Sequence, residues 1–380
     1  MICFLVPSIL AQPAPEPQLR GIVCTEDQAV AILDLGGTAR NPSTSILKSG
    51  QSEHGYEVTT IDERSGRVIL RESKSGRGFD LKLELAPGEE LVKRTLHFQS
   101  ARLASVLDIY QMLSGRTVIR SFPFPQAVLS LKSSASLPSQ KALEVLDAAI
   151  ADKGVVMKPR GEKFVFAVRS NDAKLLDEIP NPPAVDATAT ASELLPLGVP
   201  RFFGADAFQV LELYAELSGR TVLVSRDLRG GNITVAGQTQ LTRKETVWLM
   251  DALFRLADVV LVPESSNFVF AVRPTGTNHL PTFDANAAQT KARRASAPGL
   301  MNIRAVDSKQ LLDVYAAVLG REALPVETSI PGSFSLHTVH PLNQAEAIFA
   351  LEALARLSNC KLDLVGDDKV QLLPAPVPRR

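Results

Sequence analysis

"MLSGRTVIRS" occupies residues 112–121 and "ELSGRTVLVS" residues 216–225, so the chain writes Leu-Ser-Gly-Arg-Thr-Val twice, 104 residues apart. The match extends upstream at the same offset. Leu103, Val106, Leu107, Tyr110 and Leu113 fall on Ala207, Val210, Leu211, Tyr214 and Leu217. Their spacing of three and four residues is the apolar stripe of a helix lying on a core. A third copy follows at an offset of 101, with Leu311, Leu312, Tyr315 and Val318. Each helix then meets a glycine, Gly115, Gly219 or Gly320. Glycine enters the left-handed conformation of a helix C-cap without steric cost, so the repeated hexapeptide reads as helix termination before a strand.

The match continues on both sides of that helix. Before it, Phe98, Phe202 and Ile303 share one position in short extended runs, and after it "TVIR" and "TVLV" read as buried strands. A second strand alternates, with Leu129 and Leu131 matching Ile233 and Val235, then Phe334 and Leu336. Period two with one apolar face marks a strand on one side of a sheet. A second helix is predicted after Pro138, Thr242 and Asn343, the last two with Glu245 and Glu346 at capping-box spacing. Its inward face reads Leu143, Leu146, Ala149 and Ile150, then Val247, Met250, Leu253 and Phe254, then Ile348, Leu351, Leu354 and Ala355. It stops at Gly154, Asp258 and Asn359, residue types that tolerate the capping turn. A hairpin ending in "KFVFAV", "NFVFAV" or "KVQLLP" closes each copy. About a dozen core side chains per copy, each worth about 1.5–3 kcal/mol when buried, only just offset chain entropy, so such units gain from packing on neighbours.

The fold class expected is therefore α+β, three tandem βαββαββ modules preceded by a small all-β domain. The boundaries are a signal peptide and Pro-rich leader at 1–20, the all-β domain at 21–88, repeats at 94–170, 198–274 and 299–374, linkers at 171–197 and 275–298, and a tail at 375–380. Both linkers are rich in Pro, Ala, Thr and polar residues without periodicity, which predicts extended tethers with modules as beads on a string. Lys291, Arg293 and Arg294 form a basic cluster in the second, read as a solvated face. In 21–86, "QAVAILDLGG", "YEVTTIDERSGRVILRES" and "FDLKLEL" are short strands joined by turns, with a hairpin turn from Asp62 to Gly66.

The 380 residues are 45% hydrophobic and 22% charged, with Lys+Arg and Asp+Glu both 41. No global field draws nucleic acid or an anionic membrane to the chain. Aromatic residues are 6%, with Trp248 the single tryptophan, which is little material for base-stacking platforms. The apolar run from Ile2 to Ala11 is too short to span a bilayer. It matches the core of a secretory signal, lacking the usual preceding basic residues; a buried N-terminal strand is the alternative. Cys3 would leave with such a signal, and Cys24 and Cys360 stand at opposite ends of the chain, which makes neither a disulfide framework nor a metal set.

No catalytic constellation, cofactor site or metal set is expected. There is no phosphate-cradling glycine loop and no Gly-x-Ser-x-Gly elbow. His337 and His340 are spaced so that, on a strand, they point to opposite faces. Ser45 and Lys48 form a Ser-x-x-Lys loop tetrapeptide without its partner motifs. Asp367 and Asp368 suit a hairpin turn. Arg116 and Arg220 repeat past the helix cap, where a cation suits the macrodipole.

The second copy, "FFGADAFQVLELYAELSGRTVLVSRDLRGGNITVAGQTQLTRKETVWLMDALFRLADVVLVPESSNFVFAV", resembles the secretin and TonB short N-terminal domain, a periplasmic module. The carrying features are the phenylalanine strand, the Leu-rich helix ending in Ser-Gly, Asp227 entering a Gly-containing turn, the second helix after Leu-Thr and the closing hairpin. The resemblance extends to all three copies. Residues 21–86 are more faintly similar to the β domain of clamp proteins of type II secretion and type IV pilus systems. The resemblance implies a non-enzymatic periplasmic scaffold of a secretin-containing system, acting by protein–protein packing, with a secretin or other envelope secretion proteins as partners and self-association into a ring as an option. It implies neither nucleic acid binding nor a membrane span, and no secretin pore domain follows the repeats before "PAPVPRR". A periplasmic signalling module related to TonB-receptor N-terminal domains is the alternative. A KH-type RNA-binding reading needs a Gly-x-x-Gly loop and a basic face, which the copies lack.

Overall fold

The computed structural model describes residues 16–24, 29–38, 41–62, 65–83, 95–121, 123–133, 136–184, 193–228, 231–326 and 333–375. The expected signal segment lies almost wholly outside them. The fold is α+β, with 30% helix and 37% strand. It divides into two units, residues 1–118 with 124–173, and residues 119–123 with 174–380.

In the first unit, β1 (Gln18–Cys24), β2 (Ala29–Thr38) and β3 (Asn41–Leu47) are followed by β4 (Ser52–Glu53), β5 (Tyr56–Asp62), β6 (Arg67–Glu72) and β7 (Gly78–Lys82). The chain continues as β8 (Leu96–Arg102), α1 (Leu103–Ser114), β9 (Thr117–Arg120, whose last two residues belong to the second unit), β10 (Val128–Lys132), α2 (Ser139–Ala151), β11 (Val155–Arg160) and β12 (Phe164–Arg169). An all-β domain ending at residue 88 was expected to stand apart from the first repeat, yet one five-stranded sheet crosses that boundary in the order β10-β8-β1-β2-β3. Strand alternation explains the merger, because successive side chains point to opposite faces. Val23, Val30 and Ile32 join Phe98, Leu107 and Leu146 in one core, while Ile22, Ala31 and Leu33 join Val58, Val68 and Leu70 in another. Strands apolar on both faces need two covers, α1 and α2 on one side and the β4-β5-β6-β7 sheet on the other. Gly21 sits where β1 crosses β8, and a Cβ there would lie 2.7 Å from the His97 carbonyl oxygen.

The second unit runs β13 (Arg201–Asp206), α3 (Ala207–Ser218), β14 (Thr221–Val224), β15 (Asn232–Ala236), α4 (Arg243–Leu256), β16 (Val260–Glu264) and β17 (Phe268–Val272). After α5 (Ala285–Gln289) come β18 (Asn302–Val306), α6 (Ser308–Leu319), β19 (Glu322–Ala323), β20 (Phe334–His337), α7 (Gln344–Leu357), β21 (Cys360–Val365) and β22 (Lys369–Pro374). Two-stranded sheets β13-β15 and β18-β20 accompany three-stranded sheets β14-β17-β16 and β19-β22-β21. In the latter, β14 pairs parallel with β17 and β19 with β22.

The local signals act where the sequence puts them. Gly115, Gly219 and Gly320 cap α1, α3 and α6 in the left-handed conformation, at φ 66°, 70° and 66°. Both bonds of the capping box form at Thr242 with Glu245 and at Asn343 with Glu346. A third box, Asp307 with Gln310, opens α6 and was not read from sequence. Gly154, Asp258 and Asn359 turn at positive φ after α2, α4 and α7.

The described parts of the stretches expected to be extended tethers are built into the fold instead, residues 185–192 of the first lying outside the described residues. Residues 170–178 form a 3-10 helix, and the Trp248 indole donates to the Pro180 carbonyl at 3.0 Å. Between β17 and β18, Phe283 and, on α5, Ala288 pack on α7, and one hydrophobic core spans Phe268, Phe270, Tyr315 and Phe349. The Phe349 ring lies 5.2 Å from Phe268, 6.3 Å from Phe270 and 5.1 Å from Phe283. Of the cluster read as solvated, Arg293 and Arg294 are exposed, while the half-buried Lys291 is pinned. Lys291 bonds both Glu352 oxygens at 2.8 Å, Arg293 pairs with Asp368, and the Arg294 carbonyl accepts from Gln344 at 2.6 Å. The reason is that α7 carries apolar residues on two faces, burying Ala345, Phe349 and Ala353 as well as Ile348, Leu351 and Leu354. A helix with two apolar faces needs a cover on each. Burying its aromatic second face outweighs the entropy that a free tether would keep.

Candidate interaction site

The strand before the first helix of each segment carries the same irregularity. Ser100, Gly204 and Ala305 lie at positive φ, and each backbone N–H donates to a hydroxyl on the adjacent strand, that of Ser130, Thr234 or Ser335, at 2.9, 3.0 and 3.0 Å. These positions keep the offsets of 104 and 101 residues. The bulge bends the strand, so regular pairing on its outer side is confined to the residues before it.

What lies on that outer side differs among the segments. On β8 it is taken by β1, with Val23 opposite Leu96, Ile22 opposite His97 and Gly21 opposite Phe98. Phe98 is accordingly buried at 2% exposure. Among the described residues, β13 and β18 pair only with β15 and β20. The Pro200 carbonyl accepts from Gly237 N at 3.0 Å on the β15 side, so alternation turns the N–H and C=O of Arg201, and then of Phe203, outward. Phe203 is 66% exposed, with the Arg201 guanidinium 5.0 Å from its ring centroid, and Leu197 and Phe208 are exposed nearby in sequence. The corresponding residues of the other segments are Gln99 and Arg304. Sequence reasoning followed Phe202 and passed over Phe203; the signal was the doubled aromatic of "RFFG" on a strand with one covered face.

A polar cluster also recurs inside each helix pair. Tyr110 meets Asp147, Tyr214 meets Asp251, and the Tyr315 hydroxyl donates to Glu352 at 2.5 Å. The arginine after each glycine cap, Arg116, Arg220 or Arg321, acts on the tyrosine of its own segment. Burial pushes the phenols upward, Tyr110 to about 12, and the neighbouring carboxylates add to the rise. Burial likewise raises Asp147, and carries Asp251 to about 6 against the pull of Tyr214, Arg220 and Arg255. The macrodipole reading of Arg116 and Arg220 thus gains specific partners. Arg116 also donates to the Glu162 carbonyl at 3.1 Å, and Arg321 to the Lys291 carbonyl at 3.0 and 2.9 Å. Beside Tyr315 and Glu352 lies a cavity of about 150 Å³, lined also by Lys291, Arg356, Lys361 and Asp363. That volume is below the range of ordinary small-molecule sites.

The remaining sequence candidates are dispersed. His337 is exposed on β20 and His340 half-buried beyond it. Ser45 is buried on β3, whereas Lys48 is exposed in the following turn. Asp367 and Asp368 lie at the β21–β22 turn, where the Asp367 carbonyl accepts from Arg321. Cys24 and Cys360 are both buried, and neither forms a disulfide. Among the described residues no group of three or more His, Cys, Asp or Glu side chains is placed to hold a metal, and no helix is long and apolar enough to cross a membrane. The fold and these surfaces define an α+β protein with recurring segments and open strand edges. No family profile, characterised protein or solved structure matches the chain.

Proposed function

We propose that this chain is a non-enzymatic periplasmic scaffold of a secretin-containing type II secretion or type IV pilus system, whose three tandem βαββαββ modules act by packing on other proteins. The observation that carries the modular half is the recurrence, at one pair of offsets, of the bulge bond, the glycine cap and the tyrosine–carboxylate pair. These are features of construction rather than of shared substrate chemistry, and their conservation in register supports three copies of one unit. The open β13 and β18 edges and exposed Phe203 support a protein-binding role, since unprotected edges and apolar patches mark interaction sites. The secretin and periplasmic assignments rest on the resemblance of residues 202–272 to the secretin and TonB short N-terminal domain.

The test is affinity capture of the full-length protein from detergent-solubilised envelopes, joined to cell fractionation. Co-purification of a secretin supports the proposal. Recovery of an outer-membrane receptor with an anti-sigma factor would replace the scaffold with a signalling module, and a cytosolic location would overturn both.

A further inference from the structure

We infer that the outer edge of β13 receives an antiparallel strand from a partner protein, an extended segment with a glycine opposite Phe202 followed by an apolar, β-branched residue opposite Arg201. The first segment supplies the template. There β1 occupies the equivalent edge of β8 before the bulge, setting Gly21 opposite Phe98 and Ile22 opposite His97. Phe98 and His97 correspond to Phe202 and Arg201. Glycine is required because a Cβ on residue 21 would come within 2.7 Å of a backbone oxygen and 3.2 Å of the Phe98 ring. On β13 the same backbone groups face outward, and the residue opposite Arg201 would share a face with Phe203 and cover its ring. The third segment lacks this aromatic, having Arg304 at that position, so β13 is the edge prepared for an apolar strand.

A second copy of this chain fits poorly. Before the bulge, self-pairing sets Arg201 against Arg201, or Phe202 against Phe202 where the template demands glycine; like charges directly opposite are destabilising. Self-pairing centred on Phe203 runs through Gly204, at the bulge. The inference rests on the scaffold reading only in taking the partner to be a protein.

The probe is a capped synthetic peptide of Gln18–Cys24 with Cys24→Ser, titrated into full-length isotope-labelled protein while backbone amide shifts are followed. Saturable shifts at Arg201 and Phe203, with none at His97, are expected. Phe203→Asp, on an exposed side chain that cannot unfold the core, should weaken binding about tenfold, as should Arg201→Pro, which removes an outward N–H. A peptide carrying Gly21→Val should not bind. Absence of saturable shifts at millimolar peptide, equal binding by the Gly21→Val peptide, indifference to Phe203→Asp, or a free protein already dimeric with protected Arg201 and Phe203 amides would each overturn the inference. Secretin capture undiminished by Phe203→Asp would sink the edge and spare the scaffold. Peptide binding without secretin capture would do the reverse.

Discussion

Asp251 shows what one buried carboxyl does to the pH response. Its pKa is raised to about 6, chiefly because burial penalises the charged form. The fold therefore favours the protonated acid. The stability this confers is fully present below the ordinary value of 3.8 and is lost as pH rises through about 6. Asp251→Asn keeps an acceptor for the Tyr214 hydroxyl but cannot ionise. Its melting temperature relative to the wild type should rise by about 5–10 °C between pH 4 and pH 7 and level off above. Calorimetry across that range checks this, and a flat difference would mean that Asp251 titrates normally. The three tyrosines, with Arg116 and Arg220, were visible in the repeat, whereas Arg321 was not singled out. Their carboxylate was not singled out, because Tyr110 and Asp147 stand on different helices and nothing in either helix alone marks the pair.

At the scale of elements, α7 is the joint between the second and third segments. Phe349 stands among Phe268, Phe270 and Phe283, and the Asn267 side-chain amide donates to Glu346 at 2.5 Å across the same joint. Phe349→Ala should cost about 3–5 kcal/mol by leaving a cavity. In urea unfolding with a probe on each segment, the coincident transitions expected of the wild type should separate. The stretch from Pro274 to Pro298 gives a second expectation. Its backbone is tied by Arg293 N to the Leu319 carbonyl at 2.9 Å and by Arg321 to the Lys291 carbonyl. Limited trypsin digestion read by mass spectrometry should therefore spare Lys291, Arg293 and Arg294 in the early cuts. Prompt cleavage there into two stable fragments would restore the tether. Composition misled because Pro, Ala and Thr suit a docked strap as well as a free one.

Across the whole molecule, the residues that build the α7 joint recur unevenly at the aligned positions. The residue at the Phe349 position is Trp248 in the second segment but Glu144 in the first. The sheet positions of Phe268 and Phe270 are Phe164 and Phe166 in the first segment but Lys369 and Gln371 in the third. Glu144 is exposed beside Lys141, and Lys369 is exposed on β22. The second helix of the first segment thus lacks the aromatic anchor, and the closing sheet of the third lacks the aromatic receivers. Glu144→Trp combined with Lys369→Phe and Gln371→Phe would supply both halves of a head-to-tail contact, which generates open chains unless it closes. Sedimentation should show concentration-dependent association of the triple variant beyond that of the wild type; unchanged sedimentation would mean these residues do not govern the joint.

Helix stripes, glycine stops, capping boxes and the alternation of β15 and β20 were determined by sequence alone, because each arises within a few residues and its physics is local. Tertiary structure decided what local patterns leave open: that β1 fills the β8 edge, that α7 buries a second face, that the supposed tether is a strap, and that among the described residues β13 pairs on one side alone. A strand carries the same hydrogen-bonding groups on both sides and an apolar face does not name its cover, so these outcomes depend on contacts between residues far apart in the chain.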